Sequence, residues 1–242
     1  MRRYSLILCM VLIISLPGVA IAQIVLGPPP AAVGGISYFY ARTTVAGSTT
    51  TYFSTLTYIQ VGGISYTGTV GGLGFSAYVA FGGALEFDLG PAMSPTFTAK
   101  DFTARLDGLT VTSSFATGAM NPLDVDLFNM PDGDEDGVIT VDDFIGKLGR
   151  PIAQGTHNFG GVPADFNNID VTCAVRNDLF GAGQTDFSGF ILIPNTLSEE
   201  IKVITYDPGT PTLTITPGVP GPKCGGGGGG GGGGCFIANA SH

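Results

Sequence analysis

An all-β fold, an antiparallel jelly-roll-like β-sandwich with one or two short helices, is what this sequence predicts, on three observations. Its apolar runs are short and are bounded by Gly, Pro and Asp. Its composition is rich in Gly, Thr and Ser, with 16 Phe and only 12% charged residues, which suits strands better than helices. Helix signals are confined to two brief stretches.

Taken in order, ISYFYAR (36–42), TTYFSTLTYIQV (50–61), ISYTGTV (64–70), FSAYVAF (75–81) and ALEFDL (84–89) are Thr-, Tyr-, Phe- and Val-rich and partly alternating, as half-buried strands are. FTARLDGLTVTSSF (102–115), PLDVDLF (122–128), SGFILI (188–193), EEIKVITY (199–206) and TLTIT (212–216) continue the pattern. Ten or so strands joined by turns predict a sandwich or barrel. The hexapeptide VGGISY occurs at 33–38 and again at 61–66, which marks either two equivalent hairpin strands or a coincidence within Gly-rich hairpins. A helix is expected after Asp170, whose side chain is a suitable N-cap, with Val171, Ala174, Val175 and Leu179 on one face. VDDFIGKLGR is the second candidate, ending at Gly149 and Pro151.

The first 22 residues read as a secretory signal peptide: Arg2 and Arg3, an apolar stretch from Leu6 to about Ala20, and an A-x-A site at Ala20-Ile21-Ala22. No later segment is long and apolar enough to span a bilayer, so the expected location is secreted or cell surface. Export leaves eight Lys and Arg against 19 Asp and Glu, a net charge of 8 − 19 = −11. Such a chain repels phosphate backbones, so no nucleic-acid partner is expected. The sandwich is assigned to 23–217, and 218–242 to a Pro/Gly-rich linker with a short Cys-containing tail. Ten consecutive glycines, 225–234, cannot bury enough surface to hold a fold and read as a flexible linker. Of the three cysteines left after export, Cys224 and Cys235 flank the glycines and could close a loop, leaving Cys173 as a buried thiol in the helix. The alternative leaves Cys235 free for modification. No feature of the sequence fixes an oligomeric state.

MPDGDEDGVITVDDF (130–144) carries the clearest chemistry. Asp132, Asp134 and Asp136 occupy positions 1, 3 and 5 of a D-x-[DN]-x-[DN]-G loop, and Gly137 the sixth position, where the backbone must turn sharply. Their carboxylates, the Val138 carbonyl, Thr140 through water, and Asp143 at the twelfth position would give Ca²⁺ its oxygen shell. The bland alternative is an acidic turn, since D-G is a strong turn signal. Asp143 stands where a standard EF-hand has Glu, and the loop looks more like a dockerin half-loop, in which one helix follows the site.

Signals for catalysis are weak, and an enzyme is not the expectation. A serine triad needs a histidine base, and the exported chain has only His157, expected as an exposed loop residue, and His242. Glu86, Asp88, Asp101 and Asp107 are carboxylates that no sequence rule pairs into a glycosidase site. A glycan platform would need exposed aromatics. The chain has no Trp, and of Tyr38, Phe39, Tyr40, Tyr52, Phe53 and Tyr58 at least half are expected in the core, because alternate strand positions face opposite sides.

The segment from Asn167 to Thr216 resembles the end of the DNRLRE-type domains of secreted bacterial proteins: Asp170-Val171-Thr172 opening a helix, Gly189-Phe190-Ile191-Leu192, the acidic Glu199-Glu200, and Asp207-Pro208 through Pro211, Leu213 and Ile215. Upstream, ALEFDLGPAMSPTFTAKDFTARLDGLTV is similar to that family's F-D-L strand and the segment after it, so the resemblance covers roughly 80–217. It implies a jelly-roll-like sandwich that accompanies exported enzymes or adhesins, some members being carbohydrate-binding modules. The tail, a glycine run followed by CFIANASH, resembles the CFI-box signature of exported bacterial proteins. The expectation is therefore a secreted, non-catalytic module of the bacterial surface or matrix, structural or adhesive, with a calcium-stabilised loop. The alternative is a carbohydrate-binding module, with a polysaccharide or a surface protein as partner.

Overall fold

The computed structural model describes residues 23–43, 49–70, 73–92, 101–118, 120–130, 135–144, 150–181 and 184–224. The expected signal peptide, the glycine run and the CFIANASH end lie outside them. Among the described residues thirteen strands follow one another: β1 (Ile24–Leu26), β2 (Val33–Thr43), β3 (Thr49–Leu56), β4 (Ile59–Val70), β5 (Leu73–Asp88), β6 (Phe102–Asp107), β7 (Val111–Ala116), β8 (Leu123–Asn129), β9 (Ala153–His157), β10 (Ile169–Asp170), β11 (Phe187–Pro194), β12 (Lys202–Tyr206) and β13 (Thr212–Pro217). One helix, α1 (Thr172–Phe180), and 3-10 turns at Pro30–Ala32 and Asp142–Phe144 complete them. Every strand pair is antiparallel. The all-β sandwich is therefore the fold.

Two sheets form it. The smaller has the order β1-β13-β6-β10; the larger runs β7-β12-β4-β5-β11-β8-β9, with β2 also paired to β5 and β3 to β2. The long strand β5 organises the larger sheet. β2 follows one of its edges, while the other is shared, β4 taking 73–81 and β11 taking 83–88. Below that handover Ile59, Val61, Ile204 and Tyr206 turn into the main core, so the sheet curls into a half-barrel. The ribbon β6–β13 continues as β7–β12, which carries the chain from one sheet to the other.

Both copies of VGGISY lie on first strands of hairpins, β2–β3 and β4–β5, flanking β5 on opposite edges. The glycines do not end strands, as the sequence predicts; they bend them. Gly62 and Gly63 have φ of +139° and +146°, a region that L side chains rarely adopt, and the backbones of Lys202 and Val79 fill the space where their Cβ atoms would lie. The expected strands 64–70 and 84–89 are accordingly the far halves of β4 and β5.

The main core fills the space between the sheets with Leu85, Phe87, Phe102, Leu106, Leu127, Phe190, Leu192, Ile204 and Leu213 among others. Strand β6 alternates buried Phe102, Ala104 and Leu106 with more exposed neighbours, as a one-sided strand must. By contrast β11 is buried at almost every position. The opposite faces of β5, β8 and β11 are covered by a second cluster, in which Ile36, Tyr38, Ala84, Phe128, Met130, Ile191 and Ile193 meet Ile139 and Phe144 from the acidic segment. That segment is a third layer over the sandwich.

Helix α1 buries Val175 and Leu179, with Val171 just before it, as the sequence spacing predicts. Val171 takes the N-cap position, while Asp170 Oδ1 accepts from the Thr172 amide at 3.0 Å. The second expected helix is, among the described residues, only the 3-10 turn Asp142–Phe144; 145–149 lie outside them.

The cysteine pairing corrects the sequence reading. Cys173 is exposed on α1 and bonds to Cys224, with the Cα atoms 5.3 Å apart. Residues before Cys224, expected as free linker, pack on the sandwich. Arg176 Nη1 donates to the Pro222 carbonyl at 3.0 Å, and the guanidinium lies 5.3 Å from the centre of the Phe102 ring. At Gly221 an added Cβ would lie 2.5 Å from the Phe102 carbonyl oxygen and 2.7 Å from Thr172 Cγ2. The packed domain thus reaches Cys224.

Candidate metal centre

Strands β5 and β11 of the large sheet meet the acidic segment. On the outer face of β5, Glu86 follows Ala84 by two residues and is fully buried. Opposite it on β11 stands Gly189, and two residues earlier Phe187 pairs with Asp88. The space a side chain at 189 would occupy is filled by Met130 and by the stem of Glu135. Glu135 is thereby buried beside Gly189, at 6% exposure.

The described half of the loop turns as its sequence requires. Gly137 has φ +86°, and an added Cβ would lie 2.6 Å from the Phe187 ring. Its amide donates to Glu86 Oε2 at 2.6 Å. Asp136 Oδ1 accepts from the Val138 amide at 2.9 Å, and Asp143 Oδ2 from the Thr140 amide at 2.5 Å. The Ile139 amide donates to the Ala31 carbonyl at 3.2 Å, which ties the segment to the turn before β2. Asp143 is buried, whereas Asp136 and Val138 are exposed.

Of the six residues assigned to Ca²⁺, Asp136, Val138, Thr140 and Asp143 are therefore held in one turn against β5 and β11, while Asp132 and Asp134 lie outside the described residues. Among the described residues no group of three or more His, Cys, Asp or Glu is spaced to hold a metal ion. Any complete oxygen shell needs the first half of the loop.

Glu86 sets the electrostatics. Burial pushes its carboxyl up to about 7, and the charges of Asp143 and Asp136 add to the effect; the Gly137 and Asp136 amides oppose it. Its second oxygen, Oε1, is buried with no hydrogen-bond partner among the described residues. A carboxyl in this state can take a proton or meet a cation, and a hard, oxygen-seeking dication suits a set of carboxylates. In the sequence Glu86 is one of four unassigned carboxylates. Its one local signal is a charged residue alternating with apolar ones in ALEFDL.

No family model, curated protein or solved structure matches this chain.

His157 is not the exposed loop residue the sequence suggests. It ends β9 at 4% exposure, accepts the Ala164 amide on Nδ1 at 3.4 Å, and meets the edge of Phe159 with ring centres 4.8 Å apart. Of the six candidate platform aromatics, Tyr38 is buried against Tyr78, with ring centres 5.3 Å apart, and Tyr58 is exposed. The side chains of Phe39, Tyr40, Tyr52 and Phe53 lie outside the description. Among the described residues no helix is long and apolar enough to cross a membrane.

Proposed function

We propose that this chain is a secreted, non-catalytic β-sandwich module of the bacterial cell surface or extracellular matrix, structural or adhesive, whose loop at 132–143 is stabilised by Ca²⁺. The observation that carries the calcium reading is Glu86: a fully buried carboxyl, one oxygen bonded to the loop's Gly137 amide and the other without a hydrogen-bond partner among the described residues, under a segment whose sequence has six acidic side chains in twelve residues. Repulsion among those groups loosens the loop, and a dication removes it. The likeness to DNRLRE-type domains and the leader-like first 22 residues support the exported, surface setting.

In this reading the ion works as a staple. Extracellular Ca²⁺ modules bind at about 10⁻⁴–10⁻³ M, so about 10 mM Ca²⁺ stabilises the native state by about 1.4–2.7 kcal/mol through mass action. In a domain of this size that raises the melting temperature by about 3–10 °C. Asp132→Ala and Asp136→Ala should each remove the increment and leave the calcium-free protein folded. Equal melting with Ca²⁺ and with chelator would reduce the loop to an acidic turn.

A glycan-binding reading draws on Tyr58 and Tyr66, exposed at 41% and 49%. Saturable binding on a glycan array, lost on Tyr58→Ala or Tyr66→Ala, would replace adhesion through protein contacts with carbohydrate recognition.

A further inference from the structure

We propose that the Cys173–Cys224 disulfide is an exchangeable clasp: a thiol reductant attacks Cys173 Sγ, Cys224 leaves as a thiolate beside Arg176, and the strap 218–224 is freed from α1.

The two sulfurs stand in different surroundings. Cys173 is exposed on α1, whereas Cys224 is half-buried. Arg176, one helical turn beyond Cys173, brings Nη1 to 3.2 Å from Cys224 Sγ. The guanidinium is fixed there by neutral groups: Nη1 also donates to the Pro222 carbonyl, Nη2 donates to the Phe102 carbonyl at 3.4 Å, and the Phe102 ring lies under it. Among the described residues no carboxylate forms an ion pair with it. A half-buried cation matched by no anion therefore faces one sulfur of the bond, and reduction of that bond creates the anion it lacks. A guanidinium beside a sulfur favours its thiolate, and the sulfur whose thiolate is stabilised is the better leaving group. The exposed partner, Cys173, is then the sulfur attacked.

In the exchange an incoming thiolate bonds to Cys173 Sγ as the Cys173–Cys224 bond breaks, and the electron pair departs on Cys224. With a dithiol as reductant, its second thiol gives up a proton and attacks the mixed disulfide. Cys173 is expelled and takes up that proton. The reductant ends as its own disulfide, the protein as one thiol and one thiolate. The glycine run, anchored to α1 through Cys224 while the bond is intact, is afterwards tethered from the end of β13, so its tether gains residues 218–224.

The test uses the full chain with Cys235→Ser, which leaves this bond as the only pair of cysteines after residue 22. The folded protein is treated with excess reduced glutathione, free thiols are alkylated, and the products are mapped by mass spectrometry. Glutathione should appear on Cys173 and the alkyl group on Cys224. Arg176→Ala should react about three-fold or more slowly, and Arg176→Lys in between. The sign of the change separates the proposal from a purely structural role, because an arginine that only seals the strap over the bond would, once removed, let reduction go faster. Glutathione on Cys224 overturns the proposal, and so does Arg176→Ala reacting as fast as wild type or faster. A wild-type bond that resists glutathione until the domain unfolds overturns it as well. Should Arg176→Ala fail to fold, the rate of Arg176→Lys and the position of glutathione on the wild type decide.

Discussion

At His157 a titratable ring is enclosed by Phe159 and by the Ala164 backbone. Burial lowers its pKa from 6.5, with Asp165 opposing in part. The native state therefore binds this proton less readily than the unfolded chain does, and stability falls as pH drops through about 6.5 and below. The Nδ1 accepts the Ala164 amide and so carries no proton in the neutral ring; charging the ring protonates it and removes that bond. Urea unfolding at pH 7.5 and pH 5 should show a smaller stability difference in His157→Phe than in wild type. Identical differences would mean that the ring is not held neutral. The sequence hid this burial because THNFGG reads as a loop, whereas Thr156 and His157 close β9 and the following turn folds Phe159 back onto the imidazole. Glu86 was hidden similarly: alternation in ALEFDL tells which side chains share a face, but not that a segment some fifty residues later covers that face.

At the scale of elements, strand content was legible wherever alternation was strong. β6, β8, β11, β12 and β13 fall within a few residues of the runs in the sequence. Errors gather at glycine. Double glycines read as breaks between strands, yet pairing continues through them: at 62–63 neighbouring backbones, and at 82–83 the side chains of Phe144 and Ile59, occupy the space a Cβ would need. Gly108, with φ +79°, does divide 102–115 into β6 and β7. β1, β9 and β10 were not legible, being short or weakly alternating and held by partners remote in sequence. The cysteine pairing was equally remote. Flanking a glycine run suggests a local loop, whereas Cys224 is carried back to α1 by Arg176 and the fit of Gly221. This bond closes a 51-residue span and stabilises the fold by about 4 kcal/mol on the chain-entropy model. Truncation just after Cys224 should leave the melting temperature within about 2 °C of the full chain, while truncation just before it, or Cys173→Ser, should lower it by about 8 °C or more. Equal melting of all three would mean that the strap contributes nothing.

On the scale of the whole molecule, the large sheet lies between two covers of different character. One is the small sheet, joined through an extensive apolar core; the other is the acidic segment, which offers Ile139 and Phe144 and brings a crowd of carboxylates with them. The first cover needs nothing but burial. The second holds by a few apolar contacts and the Gly137 and Ile139 amide bonds, against repulsion among its carboxylates, and on the proposed reading it is the layer that a cation stabilises most. The fold class could be read from the sequence; the docking surface of the acidic segment on β5 and β11 could not. Amide hydrogen exchange of metal-stripped protein, with and without about 10 mM Ca²⁺, puts this account to its most direct test. It predicts that Ca²⁺ slows exchange at Gly137, Ile139 and Thr140, and at residues of β5 and β11 around Glu86 and Gly189, with little change in the small sheet. Exchange that is unaltered at Gly137 and Ile139 would contradict it.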